Sequence, residues 1–157
     1  MPPDEPDGQV KVHADLDVDD GYPPVDVESL WCLETEPGHF VLDNIPVFLL
    51  GVALGDVLET SLDLDTGTRR VHGVARSGGH STLLAMFAAD PVVPAEVGEL
   101  REDLRSLGCE SEYDAGHGIA AIDVPPDVAI TRVEELLNGR EVNGQIHWWV
   151  GVLRHAP

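Results

Sequence analysis

The sequence contains very few basic residues. Nine Lys and Arg stand against 29 Asp and Glu in 157 residues, Lys11 is the only lysine, and the formal net charge is −20. A protein that coats nucleic acid needs clustered Lys and Arg to displace counterions from the phosphates, and an anionic membrane surface repels a chain of this charge. The composition therefore excludes nucleic acid and membrane surfaces as partners.

Long apolar runs are also lacking. The longest, residues 45–54, contains a proline and a glycine and is much shorter than the roughly 20 residues of a membrane-spanning helix. Residues 1–8 are acidic and rich in proline, without the basic start and apolar core of a signal peptide. We therefore expect a disordered acidic lead over residues 1–8 and a cytoplasmic protein.

Cysteine is scarce, with only Cys32 and Cys109, far apart in the chain. A disulfide between them remains open, but a reducing compartment favours two buried thiols. The two cysteines do not form a Cys-x-x-Cys pair, and no two of the seven histidines have the His-x-x-x-His spacing of a helical zinc site. The sequence therefore predicts no metal site and no cofactor.

The excess of acid has three explanations. Proteins adapted to molar salt carry many Asp and Glu and little Lys, a GC-rich genome also depletes Lys but usually in favour of Arg, and an acidic surface can meet a basic partner. Residues 1–26 hold eight of the 29 acids, and the others are spread along the chain. This even distribution favours adaptation to high salt as the cause of the acidity, and recognition of a basic partner stays open as the alternative.

Short strands follow one another through the first half of the chain. Apolar and polar residues alternate over residues 9–19, which is typical of a half-buried strand with a charged outer face. This spacing of short strands and turns predicts a small antiparallel β-barrel-like half over residues 9–76. The further strands are predicted over residues 27–35, 39–42, 57–64 and 68–75.

The pattern changes after Ser77-Gly78-Gly79, which we interpret as the boundary between two halves. An apolar strand over residues 80–87 precedes a helix over residues 94–107, whose apolar residues recur on one face. The β-α-β-β-α-β order that results is that of the ferredoxin-like fold. We therefore predict an α+β protein with a ferredoxin-like half over residues 80–155. Its remaining elements are strands over residues 109–113, 119–124 and 145–153 and a helix over residues 128–137.

The second predicted helix has a signal at each end. Asp127 follows two prolines and has the side chain of an N-cap. Asn138-Gly139 is a typical stop sequence. We therefore expect the helix to begin directly after Asp127 and to end before Asn138.

Two motifs are distinctive as a pair: Asn44-Ile45-Pro46 followed by Phe48, and Gly55-Asp56-Val57. Together with residues 28–31 and 77–82, and more weakly with residues 107–109 and 121–125, they resemble a bacterial family catalogued as domain of unknown function 4265. In that family a basic residue often stands two positions after the Ser-Thr pair. The position is Leu84 here, which argues against a basic ligand-binding side chain at this point. The resemblance implies no activity.

Four acids have part of the spacing of a calcium loop. Asp15, Asp17, Asp19 and Asp26 stand at loop positions 1, 3, 5 and 12. However, the glycine required at position 6 is Asp20, and no helices flank the segment. The outer face of a strand accounts for the same acids, so we favour that interpretation.

Candidate functional residues lie in turns and near the boundary between the halves, but nothing in the sequence shows that they meet. Tight turns and structural histidines explain most of them equally well. The candidates for acid–base catalysis are Asp43, Asp56, Arg76 and His80. The candidates for ligand binding, which include a glycine-rich turn able to cradle an anion with its amides, are Asn44, Gly78, Gly79, Ser81 and Trp149.

Two further pairs of residues have a possible functional interpretation. Cys32 and His80 have the side chains of a nucleophile–base pair, although buried structural roles explain each of them more simply. Trp148 and Trp149 follow each other on a predicted strand, so one indole should enter the core and the other should lie on the open face. The opposite half or a partner would cover that second indole.

Three functions remain open from the sequence. The favoured one is a non-catalytic binding or accessory module for a protein or small ligand, since no convergent acid, base and nucleophile can be named; a homodimer through a free edge is compatible with it. The second is a small hydrolase or isomerase with a site between the halves. The third is an acidic inhibitor or immunity-type protein for a basic partner.

Overall fold

The structure, a computed structural model, describes residues 8–156. Over those residues the chain forms nine strands and two helices, so the predicted α+β class is confirmed. The chain divides into two compact units, Met1–Gly78 and Gly79–Pro157. The lead predicted over residues 1–8 lies outside the described residues except for Gly8. Within the described part, no helix is long and apolar enough to cross a membrane.

The first unit is built from five strands: β1 (Gln9–Asp15), β2 (Val27–Glu36), β3 (His39–Leu42), β4 (Val57–Asp63) and β5 (Thr68–Arg76). Consecutive strands pair antiparallel in the order β1-β2-β3-β4-β5. A parallel bridge between His13 and Arg70 joins β1 to β5 and closes the sheet. The apolar residues that alternate along these strands form its core: Val12, Ala14, Leu30, Cys32, Phe40, Leu42, Val52 and Leu58.

The strand predicted over residues 9–19 ends earlier, at Asp15. Asp19 and Tyr22 exchange two backbone hydrogen bonds, of 2.9 and 3.1 Å, around a tight turn. Asp20 within this turn has a φ of 54°, which a strand cannot accommodate. The alternation of the sequence beyond Asp15 therefore belongs to a loop, because local turn bonds replace the ladder there.

The second unit contains four strands and two helices: β6 (Ser81–Phe87), α1 (Pro94–Ser106), β7 (Glu110–Asp114), β8 (Ile119–Val124), α2 (Ile130–Val142) and β9 (Ile146–Val152). The strands pair antiparallel in the order β7-β8-β6-β9. β6 and β8 are therefore the central strands. This explains why they carry almost unbroken apolar sequences, since neither has an edge exposed to water.

The core of the second unit lies between the sheet and the buried stripes of the two helices. Leu83, Ala85 and Phe87 alternate along β6 towards this core. The stripes recur at helical spacing, and burial of each large apolar side chain stabilises the unit by about 1.5–3 kcal/mol. They consist of Val97, Leu100 and Leu104 on α1 and Ile130, Val133 and Leu137 on α2.

Both predicted ends of α2 are wrong. Asp127 does not cap the helix, because the N–H of Val128 donates to the carbonyl of Pro125 in a turn and the helix begins only at Ile130. The Asn138-Gly139 pair lies inside the helix, where Asn138 Oδ1 accepts the indole N–H of Trp148 at 3.0 Å. The buried stripe ends at Leu137, and beyond it Glu141 Oε1 accepts the backbone N–H of Trp148 at 3.1 Å. The end of the helix is thus held by contacts with β9 that local end signals do not report.

Candidate functional site

Glu28 on β2 organises the loop that links β3 to β4. Its carboxylate accepts the backbone N–H groups of Val47, Phe48 and Leu49 at 2.8–3.0 Å. Charge-assisted bonds of this kind are about twice as strong as neutral ones. A single carboxylate thus fixes three consecutive residues of a segment that has no ladder of its own.

Asp43 and Asn44 fix the beginning of the same loop. Asn44 Oδ1 accepts the N–H of Trp31 at 2.7 Å, and the N–H of Asp43 donates to the carbonyl of Trp31 at 2.8 Å. The Asp43 carboxylate accepts a hydrogen bond from the side-chain amide of Gln9. These two candidates are therefore engaged in turning the chain out of β3.

Asp56 and Gly78 meet at the end of the loop. The Asp56 carboxylate is fully buried and accepts the N–H groups of Ala53 at 2.9 Å and of Gly78 at 3.0 Å. A Cβ on Gly78 would lie 2.6 Å from the carbonyl oxygen of Gly55, so this approach requires glycine. The Gly-Asp-Val and Ser-Gly-Gly motifs thus contact each other through Asp56. Arg76, the remaining candidate of this unit, is exposed at the end of β5.

His80 and Asp123 form a close pair in the second unit. His80 Nδ1 lies 2.8 Å from Asp123 Oδ1, and the Asp123 side chain is only 4% exposed. Burial raises the pKa of Asp123, and the hydrogen bond and charge of His80 oppose that rise. A carboxylate that holds one imidazole nitrogen orients the ring and fixes its tautomer.

Ser81 and His155 join the C-terminal segment to β6. Ser81 is fully buried, and its Oγ accepts the N–H of Arg154 at 2.8 Å and lies 2.6 Å from His155 Nδ1. His155 Nε2 lies 2.8 Å from the carbonyl of Pro125. Because a carbonyl only accepts, Nε2 carries the proton, and in the neutral ring Nδ1 then accepts the Ser81 hydroxyl. Ser81 is therefore a structural anchor.

A cavity of about 570 Å³ lies between this anchored segment and the start of α2. Ala129 is the N-cap residue, and no side chain of the described part caps the helix. Consequently the N–H groups of Ile130 and Thr131 have no acceptor within residues 8–156. The lining residues, none of them acidic, are Gly79, Pro126, Val128, Ala129, Ile130, Thr131, Arg154, His155 and Ala156.

The two indoles of β9 lie on different faces of the sheet. Trp148 packs against the core of the second unit. Trp149 pairs with Leu84 across the ladder and stacks on His147, with 5.8 Å between the ring centroids. This is the alternation that the sequence predicts.

Both cysteines are free and buried. Burial raises the pKa of Cys32 to about 12, with a further contribution from Asp43, and raises the pKa of Cys109 to about 11, with further contributions from Asp123 and Glu110. Both groups are therefore protonated at neutral pH, which makes them poor nucleophiles. Within residues 8–156 no three His, Cys, Asp or Glu side chains are placed to hold a metal ion.

Sequence reasoning missed Glu28, Asp123 and the start of α2. Asp123 had a usable signal, because it is the one charged residue in the apolar strand Ile119–Val124. For Glu28, the sequence carried no signal of its structural role other than its place in a family motif. The uncapped start of α2 was missed because the sequence predicts Asp127 as its N-cap, whereas the N-cap residue is Ala129.

Comparison with known proteins places the chain in a family. A crystal structure of a hypothetical protein from Neisseria gonorrhoeae is similar, with a TM-score of 0.71 at 16% identity over 94% of this chain and 98% of that one. At this identity the likeness shows a shared fold alone. No curated protein matches significantly. The family model for a domain of unknown function, DUF4265, matches residues 28–148, as the motifs predicted. The chain therefore belongs to the DUF4265 family.

Proposed function

We propose that this protein is a non-catalytic binding module, and that its ligand is a small molecule with a carboxylate or phosphate group bound in the cavity at the start of α2. One observation carries the proposal. The backbone N–H groups of Ile130 and Thr131, both in the lining, have no acceptor in the described part of the chain.

The electrostatics of the cavity support an anionic ligand. The N-terminus of a helix carries roughly half a positive charge, and its amides bind anions well. Arg154 is a basic residue among those that line the cavity. Although the net charge of the protein is −20, none of the lining residues among residues 8–156 is acidic. A volume of about 570 Å³ is also in the range of small-molecule sites.

The other helix start provides an internal comparison. α1 also lacks a side-chain cap, but its first turn contains Pro94, which has no N–H, and the acidic side chain of Glu96. The first turn of α2 contains no acidic residue. Of the two helix starts in the described part of the chain, α2 is therefore the one that combines amides without an acceptor there with a lining free of acidic residues.

The non-catalytic part of the proposal is supported by the use of the polar motif residues. Glu28, Asn44 and Asp56 accept backbone N–H groups, and the Ser81 hydroxyl is buried in the anchor to His155. Such side chains stabilise loops, and their bonding capacity is largely taken. This arrangement favours a scaffold for binding over an active site.

Titration of the isotope-labelled protein with inorganic phosphate and with acetate tests the proposal. We expect saturable chemical-shift changes of the Ile130 and Thr131 amides and none at Ala95 in the first turn of α1. Changes of equal size at both helix starts, or none at α2 up to tens of millimolar anion, would contradict it.

A hydrolase or isomerase is the second candidate, favoured by the 2.8 Å contact between His80 and Asp123. This pair has the geometry of a general base oriented by a carboxylate. A screen of ester and phosphoester substrates should then show an activity that His80→Gln removes and His39→Gln, an exposed control, retains. Equal activity in both variants would exclude the pair as the catalytic group. An acidic inhibitor role stays a prediction.

We also propose a fold class for each unit and a cellular compartment for the protein. The element order and the strand order β7-β8-β6-β9 support a ferredoxin-like class for the second unit, and the closed five-strand order supports a β-barrel class for the first. Free buried thiols support a reducing, cytoplasmic compartment.

A further inference from the structure

A second concentration of positive charge lies on the strands that close the first unit. Three of the nine basic residues are found there, Lys11 on β1 and Arg69 and Arg70 on β5. His13 on β1 is the backbone pairing partner of Arg70 on β5. Successive side chains of a strand point to opposite faces, so Arg69 and Arg70 have different surroundings.

Within residues 8–156, Arg70 is the one member of this group with a carboxylate partner, since its Nη1 lies 2.8 Å from Asp15 Oδ1. The guanidinium of Arg69 donates to Thr60 Oγ1 at 3.0 Å and lies 4.3 Å from the centroid of the Phe40 ring. These contacts hold the group in place without neutralising it.

Lys11 is likewise without a carboxylate partner among residues 8–156. Its Nζ lies 5.9 Å from the centroid of Trp31, a cation–π contact that also leaves the charge in place. Among the described residues, the charge of this lysine is thus met by an aromatic ring and by no carboxylate.

A cavity of about 380 Å³ lies among these residues. Its polar lining residues are Gln9, Lys11, His13, Thr68 and Arg69, and none of the lining residues is acidic. The pKa of His13 is lowered, first by burial and then by Lys11 and Arg70, against an opposing effect of Asp15. The charges that face His13 are thus predominantly positive.

We propose that this cavity is a second binding site, and that it takes the phosphate group of a small phosphate monoester. A lysine ammonium supplies a compact positive charge, and an arginine guanidinium presents a planar fork that matches phosphate oxygens. Arg69 is already ordered over Phe40, so little side-chain entropy is lost on binding. Thr68 adds a neutral donor for a further oxygen, whereas the Gln9 amide already donates to Asp43.

The site is independent of the proposed function, because all of its residues belong to the first unit and the cavity of α2 belongs to the second. Amide shifts of residues 11, 13, 68 and 69 and those of residues 130 and 131 report the two sites separately. Failure of one proposal leaves the other intact.

Titration of the full chain with phenyl phosphate, with acetate as a comparison anion, tests the inference. Lys11→Gln removes the exposed ammonium without disturbing the core, and Arg105→Gln, on the exposed face of α1, is the control with the same change in charge. We expect saturable shifts at Lys11, His13 and Arg69, a Kd about fivefold higher in Lys11→Gln, and an unchanged Kd in Arg105→Gln.

Two results would overturn the inference. The first is an absence of saturable shifts in this cavity at tens of millimolar phenyl phosphate. The second is an equal weakening by Lys11→Gln and Arg105→Gln, since this would reveal a response to net charge alone.

Discussion

The hydroxyl of Ser81 lies 2.6 Å from Nδ1 of His155 and also accepts the backbone N–H groups of Arg154 and His155, at 2.8 and 3.3 Å. One buried side chain thereby holds the C-terminal segment against β6. Arg154 and His155 line the cavity at the start of α2. The geometry of that cavity therefore depends on a residue that does not line it.

Substitution Ser81→Ala should destabilise the protein by about 1–3 kcal/mol, because buried donors and an acceptor lose their partner. The loss should also loosen Arg154 and weaken anion binding at α2. Urea denaturation measures the first effect, and phosphate titration the second. Ser106→Ala, in which an exposed hydroxyl is removed, should leave both unchanged within about 0.5 kcal/mol.

Substitution Gly78→Ala should be among the most damaging single changes in the first unit. The new Cβ would lie 2.6 Å from the Gly55 carbonyl oxygen, and relief of this clash would pull the Gly78 N–H away from Asp56. Gly98→Ala is the control, since no atom approaches its Cβ within 4 Å and helix propensity favours alanine by up to about 1 kcal/mol. Thermal denaturation should show a lower Tm for the first variant and an equal or higher Tm for the second.

Substitution Glu28→Gln should destabilise the loop between β3 and β4. A glutamine has one acceptor oxygen in place of two and no charge, so it cannot hold the amides of Val47, Phe48 and Leu49 as the carboxylate does. We expect a loss of about 1.5–3 kcal/mol in urea denaturation. Faster hydrogen exchange confined to these three amides would locate the effect, whereas unchanged exchange there would contradict the role assigned to Glu28.

Asp123 should make the free energy of unfolding depend on pH. Its pKa is raised in the folded protein, chiefly by burial, so the folded state holds the proton more tightly than the unfolded chain. The stability that this proton provides is fully present below the ordinary pKa of 3.8 and is lost as the pH rises through the raised value. Asp123→Asn lacks this titration, and its stability relative to the native protein should therefore increase as the pH rises from below 3.8 towards neutral. A constant difference over that range would contradict the raised pKa.

Much of the fold could be predicted from the sequence because burial follows periodicity. Val12 and Ala14 alternate on β1, and Leu100 and Leu104 recur on α1, and in each case the pattern alone identifies the buried face. The ends of α2 could not be predicted, since Asp127 and Asn138-Gly139 carry genuine end signals that tertiary packing overrides. The family was recognisable from motifs whose residues contact one another, as Asp56 and Gly78 do.

The candidate site was less predictable from the sequence, because its main feature is a pair of backbone N–H groups at the start of α2. The polar side chains singled out in the sequence are mostly engaged with backbone groups, as Asn44 is with Trp31 and Ser81 with Arg154. Residue types do not indicate that the amides of Ile130 and Thr131 lack an acceptor in the described part of the chain. Identifying them requires the first residue of the helix, which the sequence does not predict accurately enough.

Binding of inorganic phosphate to Ala129→Asp tests the central claim most directly. An aspartate at this N-cap position accepts the N–H of Thr131 or Arg132 with its own carboxylate and brings a negative charge to the cavity. We predict that stability rises by about 0.5–2 kcal/mol while saturable binding at α2 is lost. Ala129→Asn, a neutral cap, should raise stability similarly and weaken binding less. Undiminished phosphate binding by a stabilised Ala129→Asp protein would contradict the account.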